Sequence, residues 1–482
     1  MPSFYVENFG CRATQADGAA IEEQFRENGL SRADHPRNAR YVVLNTCAVT
    51  ASAEQDARAA IRRVRRENPG CKVIVTGCYA QRVPSEVASL PGVSVVIGNS
   101  HKNTLARIAL QAESEQARSR GNFVSLATLM SGQQSFDGSI FVSDIFAHTE
   151  LIAAPVFDSA NERTRPNLKV QDGCNNRCSF CIIPSVRGRS RSLKLDEVLR
   201  EVNQLVEAGY REVVISGINL GRWGRDLPSL VVEDRRPRPS RFEDLVRAIL
   251  DRTGLEKLRI SSIEPMDWSD SFIRLMADSR RIAKHAHVPM QSGSDAVLRR
   301  MHRKYRPWHY REKVEMIRAA MPTAAIGADV MVGFPGETDS EFEETRQLIE
   351  EFPFTYLHVF TFSARPGTPA ATMRNQVPVR VARERSRILR ELATRKKRAF
   401  MGQFVGQKIE AITLNVISET ADGTCTEALT DNYLKMRLVG RLGANQWLKA
   451  DVSNMDGDTL IGNTVRELAA EGEGLSQTGT IG

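Results

Sequence analysis

Three cysteines lie close together in the stretch QDGCNNRCSFCIIPSVRGRSRS, which runs from Gln171 to Ser192. Cys174, Cys178 and Cys181 form a C-x3-C-x2-C pattern, and three thiolates on one short loop can ligate three irons of a four-iron, four-sulfur cluster. The remaining iron then stays open, as catalytic metal sites leave one position for substrate. A structural zinc site would need a fourth Cys or His, and none lies within about twenty residues on either side. The spacing therefore predicts an open iron–sulfur site.

Three more cysteines each follow a short apolar segment near the amino terminus. Cys11 comes after FYVENF, Cys47 after ARYVVLN and Cys78 after CKVIVTG, and with VSVVIGN these segments alternate with helical patterns. The alternation predicts a small parallel sheet, in which the carboxyl ends of the strands lie along one edge. We therefore expect Cys11, Cys47 and Cys78 to meet as one ligand set. The alternative is that each is a small buried residue, as we expect for Cys71 inside its strand.

A longer alternation of strands and amphipathic helices begins at Lys169. Its strands are EVVISG, KLRISS, HAHVPM, IGADVMVGF and TYLHVFTFS, and five or six such units within about 200 residues predict a parallel barrel, complete or partial. These strands lead into the polar segments SGINLG, SSIEP, MQSGS and GFPGET. Each segment could be an ordinary turn. Together, at the carboxyl-terminal face of a barrel, they indicate a site for an extended polar ligand.

The composition is that of a globular protein in a reducing compartment. The chain has 482 residues, 41% of them hydrophobic, which suits about two to four domains. Its 8 cysteines are too few for a disulfide framework. No apolar run approaches the roughly 18 residues of a membrane span, and the first residues lack the basic and apolar regions of a signal peptide. We therefore expect a cytoplasmic protein without membrane contact.

Basic residues are concentrated in one predicted helix, although the net charge of the chain is only +8. Residues 380–398 hold nine basic side chains against two glutamates. A solvated helix face is the simplest interpretation of such a run. Next to a nucleic-acid-binding module it would instead indicate an RNA-facing surface, and its candidate contacts are Arg395, Lys396, Lys397 and Arg398.

A short β-rich region follows that helix. Between Phe404 and Asn463, KIEAITLNVI, CTEALTDNYLKMRLV and QWLKADVSN alternate as strands around ADG and MDGDT turns, enough for a small barrel. A basic loop after the cysteine triplet adds Arg187, Arg189 and Arg191, which we expect to face phosphate. The two regions together favour a polyanionic partner.

The triplet, with Phe180 before its last cysteine, resembles that of the radical S-adenosylmethionine enzymes, and CSFCIIPSVRGRSRS is similar to their methylthiotransferase branch. The likeness covers nearly the whole chain: GCR, NTCAVT and GCYAQ match the amino-terminal part, and the β-rich region resembles the TRAM RNA-binding domain. The resemblance implies that the open iron binds S-adenosylmethionine, whose reductive cleavage gives a 5′-deoxyadenosyl radical. It also implies a second 4Fe–4S cluster on Cys11, Cys47 and Cys78, which supplies or carries the inserted sulfur. Thr14 departs from the pattern, because asparagine usually stands there.

The same resemblance implies contacts to S-adenosylmethionine from the ends of the barrel strands. Each of these residues could instead be a turn or core residue. The expected contacts are Phe180 along the adenine, Gly217 near the methionyl amine, and Glu264, Gln291 and Ser292 near ribose or carboxylate.

Within the family, SGINLGRWG is most similar to the members that act on N6-threonylcarbamoyladenosine beside the tRNA anticodon, although Trp223 replaces the usual tyrosine. The expected reaction places sulfur and a methyl group on carbon 2 of that base, a C–H position that side-chain bases do not deprotonate usefully near neutral pH. The alternatives are modification of isopentenyladenosine in tRNA or of an aspartate in a ribosomal protein. A non-catalytic iron–sulfur RNA-binding protein is the alternative of another class. The expected partners are tRNA and an electron donor such as a flavodoxin or ferredoxin, and the sulfur donor stays open.

The expected fold is α/β and multidomain. Its parts are an open parallel α/β cluster domain at 1–115, a connecting segment at 116–165, a partial TIM-type radical S-adenosylmethionine barrel with a basic linker helix at 166–400, a small OB-like TRAM β-barrel at 403–465, and a disordered tail at 466–482.

Overall fold

The computed structural model describes residues 2–119, 139–148, 151, 164–228, 238–420 and 423–465. Within them lie a parallel amino-terminal sheet, a partial barrel and a closed five-stranded β-barrel. Most of the expected ADG turn and the expected tail lie outside the described residues. In the part of the chain that the structure describes, no helix is both long and apolar enough to cross a membrane.

The amino-terminal sheet has six parallel strands in the order β2-β1-β3-β4-β5-β6. The four strands expected from the sequence are confirmed as β1, β3, β4 and β5, and the segment SIF adds the edge strand β6. Cys71 lies one residue before β4 and is partly exposed, so the expectation of a buried strand cysteine is wrong. The strands are β1 (Ser3–Asn8), β2 (Ser31–Arg32), β3 (Tyr41–Thr46), β4 (Lys72–Gly77), β5 (Val93–Ile97) and β6 (Ser139–Phe141), and the helices are α1 (Arg12–Glu27), α2 (Ala51–Glu67), α3 (Cys78–Arg82), α4 (Pro84–Ala88) and α5 (Leu105–Ser119).

The central barrel is open on one side. Its parallel strands form two sets, β7-β9-β10 and β11-β12-β13, which are joined by a bridge between Leu258 and Ile282. The expected strands are confirmed, and a short β8 pairs antiparallel with β7. No pairing of β13 with β7 occurs among the described residues, so the barrel is partial. The strands are β7 (Asn167–Asp172), β8 (Arg191–Ser192), β9 (Glu212–Gly217), β10 (Lys257–Ile260), β11 (His285–His287), β12 (Ala325–Val332) and β13 (Tyr356–Thr361).

Amphipathic helices cover the outer face of the barrel. In α7, the residues Val198, Leu199, Val202 and Leu205 form an apolar stripe and are buried against the strands. The helices are α6 (Ile183–Arg187), α7 (Leu195–Glu207), α8 (Phe242–Arg252), α9 (Asp270–Asp278), α10 (Asp295–Arg300), α11 (Pro307–Ala320), α12 (Asp339–Glu351) and α13 (Val379–Gly402).

The carboxyl-terminal barrel closes in the order β14-β15-β16-β18-β17. The expectation of one strand over CTEALTDNYLKMRLV is wrong, because a tight turn with Tyr433 at φ 68° splits it into β15 and β16. The expected MDGDT turn is confirmed between β17 and β18. Helix α13 links the two barrels, since Leu389 and Leu392 pack in the central core and Phe400 in the terminal one. The strands are β14 (Lys408–Thr420), β15 (Gly423–Thr430), β16 (Lys435–Val439), β17 (Trp447–Asp456) and β18 (Thr459–Thr464).

Candidate active site

The amino-terminal cysteines meet at the carboxyl edge of their sheet. Cys11, Cys47 and Cys78 follow β1, β3 and β4, which are neighbours in the sheet. Gly10 has a φ of 108°, and a Cβ there would lie 3.0 Å from the Cys47 Sγ, so the Cys11 loop passes directly over Cys47. Cys11 is exposed, whereas Cys47 and Cys78 are buried. The structure thus brings together three cysteines that are far apart in the sequence.

This cysteine set has the surroundings that an iron–sulfur cluster requires. Burial and the neighbouring Cys78 raise the pKa of Cys47 to about 11, so the free thiol stays protonated, whereas cluster binding needs thiolates and releases protons. Polar groups contact each sulfur, as they do around cluster ligands. These contacts are Val49 N–H to Cys47 Sγ at 3.5 Å, Asn99 Nδ2 to Cys78 Sγ at 3.6 Å, and Thr14 Oγ1 to Cys11 Sγ at 3.6 Å.

The second cysteine set occupies the loop between β7 and α6. Burial raises the pKa of Cys181 to about 12 and also raises that of Cys174. Asn219 Nδ2 donates to Cys174 Sγ at 3.5 Å, and Arg303 Nη1 donates to Cys178 Sγ at 3.2 Å. Asn219 reaches the loop from the end of β9 and Arg303 from the connection between α10 and α11, so the rest of the barrel mouth fixes the position of the triplet.

The spacing of both sets fits a cluster better than a single ion. Sulfur ligands of one zinc ion lie about 4 Å apart. Among the described residues, neither cysteine set brings its three sulfur atoms within 4.8 Å of one another. This separation disfavours one closed tetrahedral ion at either set and is compatible with the wider spacing of ligands on a multi-iron cluster.

Buried ion pairs hold the two cysteine sets in one unit. Asp17 on α1 accepts from Lys102 at 2.9 Å, from Lys169 on β7, and from Arg187 after the triplet at 3.0 Å. Asp172 accepts from Lys169 and Arg187, each at 3.0 Å. Burial opposes ionisation of Asp17, but these cations outweigh it and hold its pKa well below the usual range. Because cations outnumber carboxylates here, the network suits an anionic cluster beside it.

The basic loop does not have the role that its sequence suggests. Arg187 is bound by Asp17 and Asp172, and Arg191 is buried, with its Nη1 donating to the carbonyl of Arg187 at 2.8 Å. The expectation that Arg187 and Arg191 face phosphate is therefore wrong, because both join the buried network. Only Arg189 of the three is exposed.

The segment after Cys181 packs directly on the segment that begins at Cys78. Ile182 and Val186 share a core cluster with Cys78 and Tyr79. Asn99 donates to the carbonyl of Val186 at 2.7 Å while it also contacts the sulfur of Cys78. The two cysteine sets are consequently close neighbours across the domain boundary.

Two of the five expected S-adenosylmethionine contacts have side chains tied to the barrel mouth. Glu264 forms an ion pair with Arg303, which also contacts Cys178. Phe180 is partly buried, edge-on to Phe334 with ring centroids 6.4 Å apart. Both therefore border the cysteine triplet.

The other three expected contacts differ in what they offer a ligand. Gly217 lies at the end of β9, where a Cβ would come within 2.9 Å of Gln171. Gln291 has a φ of 63°, which turns the chain after β11. The Ser292 hydroxyl is buried and lies 3.1 Å from Thr345 Oγ1 on α12, so this side chain stabilises the packing of α12 and does not line the barrel mouth.

Three residues inside the barrel form a site that sequence patterns did not single out. His287 on β11, Asp329 on β12 and His358 on β13 each offer a side-chain atom within 4.8 Å of the others. Asp329 Oδ1 lies 3.2 Å from a ring nitrogen of each histidine. The sequence did carry a signal for this group, because three of the 8 histidines, His285 among them, stand in β11 and β13, the two strands on either side of β12.

The four candidate RNA contacts lie on the last turns of α13. Arg395 and Arg398 are exposed. Lys396 Nζ donates to the carbonyl of Glu350 at 2.7 Å, and Lys397 Nζ pairs with Asp458 at 3.0 Å. Arg395 Nη2 also lies 3.6 Å from Glu350 Oε2 in an exposed ion pair. Three of the four candidates therefore already have a partner within the molecule.

Two family models match the chain in the regions that carry the cysteines. Residues 168–349 match the model described as "Radical SAM superfamily". Residues 3–98 match the model described as "Uncharacterized protein family UPF0004". The first match contains the triplet, and the second contains Cys11, Cys47 and Cys78.

Curated relatives match almost the whole length of the chain. Threonylcarbamoyladenosine tRNA methylthiotransferase MtaB of Bacillus subtilis is 36% identical over 91% of this chain and 91% of its own. The protein of the same name from Rickettsia prowazekii is 34% identical over 94% of this chain and 95% of its own. A tRNA-2-methylthio-N(6)-dimethylallyladenosine synthase of Thermobifida fusca is 34% identical over 85% of this chain and 77% of its own.

A solved structure supports the fold alone. The radical S-adenosylmethionine methyltransferase TsrM from Kitasatospora setae aligns with a TM-score of 0.53 at 14% identity, covering 77% of this chain and 74% of that one. The barrel with its cysteine triplet, the second cysteine set beside it and the full-length relatives lead to one family. The chain belongs to the tRNA methylthiotransferases of the radical S-adenosylmethionine superfamily.

Proposed function

We propose that the protein transfers a methylthio group to carbon 2 of N6-threonylcarbamoyladenosine in tRNA. The observation that carries the proposal is the pair of adjacent three-cysteine sets, joined by a buried charge network, in a chain whose relatives match over nearly its full length. An electron carrier would not need two sets of only three cysteines, each of which leaves one iron of a four-iron cluster without a cysteine ligand. It would not need an open barrel mouth beside them either. The non-catalytic alternative is therefore disfavoured.

We assign one 4Fe–4S cluster to Cys174, Cys178 and Cys181 and another to Cys11, Cys47 and Cys78. When bound, the barrel cluster supplies the electron that cleaves S-adenosylmethionine, and the amino-terminal cluster carries the sulfur that is transferred. Side chains of the protein fix the positions of these cysteines. Arg303 contacts the Cys178 sulfur and the Glu264 carboxylate at once, so it orients both groups at the barrel mouth.

The barrel mouth offers S-adenosylmethionine an apolar wall and a charged rim. Phe180 packs with Phe334 and Met301 and provides a surface for the adenine ring. Gly217 ends β9, where Gln171 already fills the position that a Cβ would take, so the backbone of Gly217 is what this strand end offers the methionyl part. Gln291 turns the chain after β11. Ser292 supports this turn through Thr345.

The choice of threonylcarbamoyladenosine over isopentenyladenosine rests on the relatives with the widest coverage. Five relatives named for threonylcarbamoyladenosine cover 85–96% of this chain, four of them 90% or more, whereas three named for the dimethylallyl substrate cover 85%. A tRNA substrate also fits the exposed Arg395 and Arg398 beside the carboxyl-terminal barrel. Modification of a ribosomal protein has no comparable support.

The reaction needs partners beyond tRNA. Reductive cleavage consumes an electron, which we assign to a low-potential carrier such as a flavodoxin or ferredoxin. Since tRNA modification and such carriers are cytoplasmic, we place the reaction in the cytoplasm.

An assay with defined tRNA tests the proposal. The reconstituted protein, with S-adenosylmethionine and a reductant, should convert tRNA bearing N6-threonylcarbamoyladenosine to its 2-methylthio derivative, measured by mass spectrometry of the nucleosides. The matched control is tRNA bearing isopentenyladenosine, which should react far more slowly. Faster reaction of the isopentenyl substrate would transfer the assignment to the alternative.

A further inference from the structure

The open side of the central barrel borders a cavity of about 520 Å³ that contacts the carboxyl-terminal barrel. Aromatic and basic side chains line it: Arg165, Tyr356, His358, Tyr433, Lys435 and Arg437. Tyr433 stands in the turn between β15 and β16, and its ring centroid lies 4.6 Å from that of His285 and 5.9 Å from that of Tyr356. The turn therefore carries an aromatic ring from the terminal barrel into the open side of the central one.

Arg12 joins this cavity to the amino-terminal cysteine set. It follows Cys11 directly, is exposed, and its Nη2 donates to the Tyr433 hydroxyl at 3.3 Å. The Arg12 carbonyl accepts from Asn167 Nδ2 at 3.3 Å, which fixes the backbone of the cysteine loop against the barrel. A group held by the Arg12 guanidinium would thus lie next to the proposed sulfur-carrying cluster and next to the cavity.

The cations near Tyr433 exceed the carboxylates that neutralise them. Arg259 binds Glu212 through two contacts at 2.6 and 3.3 Å, and Arg165 reaches the same carboxylate at 3.7 Å. Arg12 forms no ion pair with any carboxylate of the described residues within 4.0 Å. Asp431 is a further carboxylate near Arg259, but it pairs with Lys257 at 3.1 Å. Arg165 and Arg259 thus share Glu212, and Arg12 has no carboxylate of its own.

Two carboxylates line the cavity, and each has a basic residue next to it. Asp458 pairs with Lys397 at 3.0 Å, and Glu427 is the register partner of Arg437 across β15 and β16. Asp329 does not line the cavity, and its Oδ1 lies 3.2 Å from a ring nitrogen of His287 and of His358. Burial, followed by the charges of Arg259 and His287, holds the pKa of His285 well below its usual value, so His285 adds no positive charge. The uncompensated charge therefore belongs to the arginines.

We infer that Arg12, with Arg165 beside it, binds the carboxylate of the threonylcarbamoyl group and thereby selects this modified adenosine. The inference rests on the proposed function. A guanidinium forms strong bidentate hydrogen bonds with a carboxylate. A neutral isopentenyl group placed over the same guanidinium would displace the water bound to it and offer no hydrogen-bond acceptor in exchange. Tyr356 and Tyr433 offer rings for the attached base. The contact favours the acidic substrate and disfavours the apolar one.

Equilibrium binding tests the role of Arg12 apart from catalysis. The reconstituted full-length protein is titrated with one tRNA in two forms, with N6-threonylcarbamoyladenosine and with unmodified adenosine at the same position. The parent protein should bind the modified form more tightly, and Arg12→Met should reduce this preference about 10- to 100-fold while its affinity for the unmodified tRNA stays unchanged. Arg12→Lys keeps the charge and should retain part of the preference.

Arg107→Met on α5 is the matched control, because Arg107 is also exposed but lies away from the cavity. It should keep the full preference, and all variants should retain the parent iron content. An unchanged preference in Arg12→Met overturns the inference and leaves the proposed function intact. Equal weakening of both tRNA forms also overturns it, since that result assigns Arg12 to a backbone phosphate. A parent protein without any preference contradicts the proposed function itself and the inference with it.

Discussion

The six proposed ligand cysteines can be tested by counting iron. The anaerobically reconstituted protein should hold about eight irons, and replacing Cys174, Cys178 and Cys181 together by Ala should leave about four. The same loss should follow replacement of the amino-terminal set. The matched control is Cys71→Ala with Cys425→Ala, since neither residue belongs to a set, and it should keep about eight irons. Unchanged iron content in either triple variant would contradict the assignment.

The cysteines could be predicted from the sequence, whereas their neighbours could not. A C-x3-C-x2-C pattern is local, and three cysteines after three strands converge because parallel strands end at one edge. Arg187 was expected to contact phosphate because its charge is visible in the sequence. Its partner Asp17 lies 170 residues earlier, and the sequence does not show that the two side chains meet. Arg303 and His358 were missed for the same reason: their roles come from contacts with residues that are distant in the sequence.

At the scale of elements, the basic end of α13 makes a prediction about salt. If Arg395 and Arg398 contact tRNA phosphates, replacing both by Ala should flatten the slope of log affinity against log salt by roughly one unit per contact, because fewer counterions are released. Replacing Lys396 and Lys397 is the matched control and should change the slope little, since both are partly buried and held at 2.7 and 3.0 Å, whereas Arg395 is exposed and lies 3.6 Å from Glu350. Filter binding at three salt concentrations measures this. Identical slopes for all proteins would make the helix end a solvated surface only.

The buried network between α1, β7 and α6 makes a prediction about stability. Asp17→Asn removes one partner from buried ion pairs with Lys102, Lys169 and Arg187, which costs about 3–5 kcal/mol. The midpoint of thermal unfolding should fall by several degrees. Glu384→Gln on α13 removes an exposed partner of Arg387 and should leave the midpoint almost unchanged. Equal effects of the two changes would mean that the network does not join the domains.

The same network predicts how this difference depends on pH. The pKa of Asp17 in the folded protein lies well below the value of about 3.9 in unfolded chains. Its contribution is therefore fully present above that value and is lost as the pH falls through the folded-state pKa. The gap in stability between the parent and Asp17→Asn should stay constant near neutral pH and shrink below about pH 4. A gap that grows in acid would contradict the ion-pair account.

Strands and helices were predictable to different degrees. The barrel strands stood out because buried parallel strands are continuous apolar runs between amphipathic helices. The turn at Tyr433 lies inside one apparent strand, where Asp431 and Asn432 are its only turn-favouring residues and no glycine or proline marks it. The Thr430 hydroxyl stabilises it by accepting from the Leu434 N–H at 2.8 Å. That turn carries the ring that reaches Arg12, so the missed element belongs to the proposed substrate site.

For the whole molecule, the account divides the reaction between two domains. Replacing Cys11, Cys47 and Cys78 should leave reductive cleavage of S-adenosylmethionine intact while the methylthio product disappears, because cleavage needs only the barrel site. The measurement is 5′-deoxyadenosine release beside nucleoside analysis of the same reaction. Replacing the barrel triplet should abolish both products. Loss of cleavage in a folded amino-terminal variant would show that the division is wrong.

The most direct test of the central claim is mass spectrometry of tRNA nucleosides from a strain that lacks this gene. The account predicts that 2-methylthio-N6-threonylcarbamoyladenosine disappears and N6-threonylcarbamoyladenosine accumulates, while isopentenyladenosine derivatives stay unchanged. Restoring the parent gene should restore the methylthio nucleoside, and the gene with Ala at the barrel triplet should not. The proposed function would be contradicted if the amount of 2-methylthio-N6-threonylcarbamoyladenosine were unchanged. It would also be contradicted if isopentenyladenosine lost its methylthio group instead.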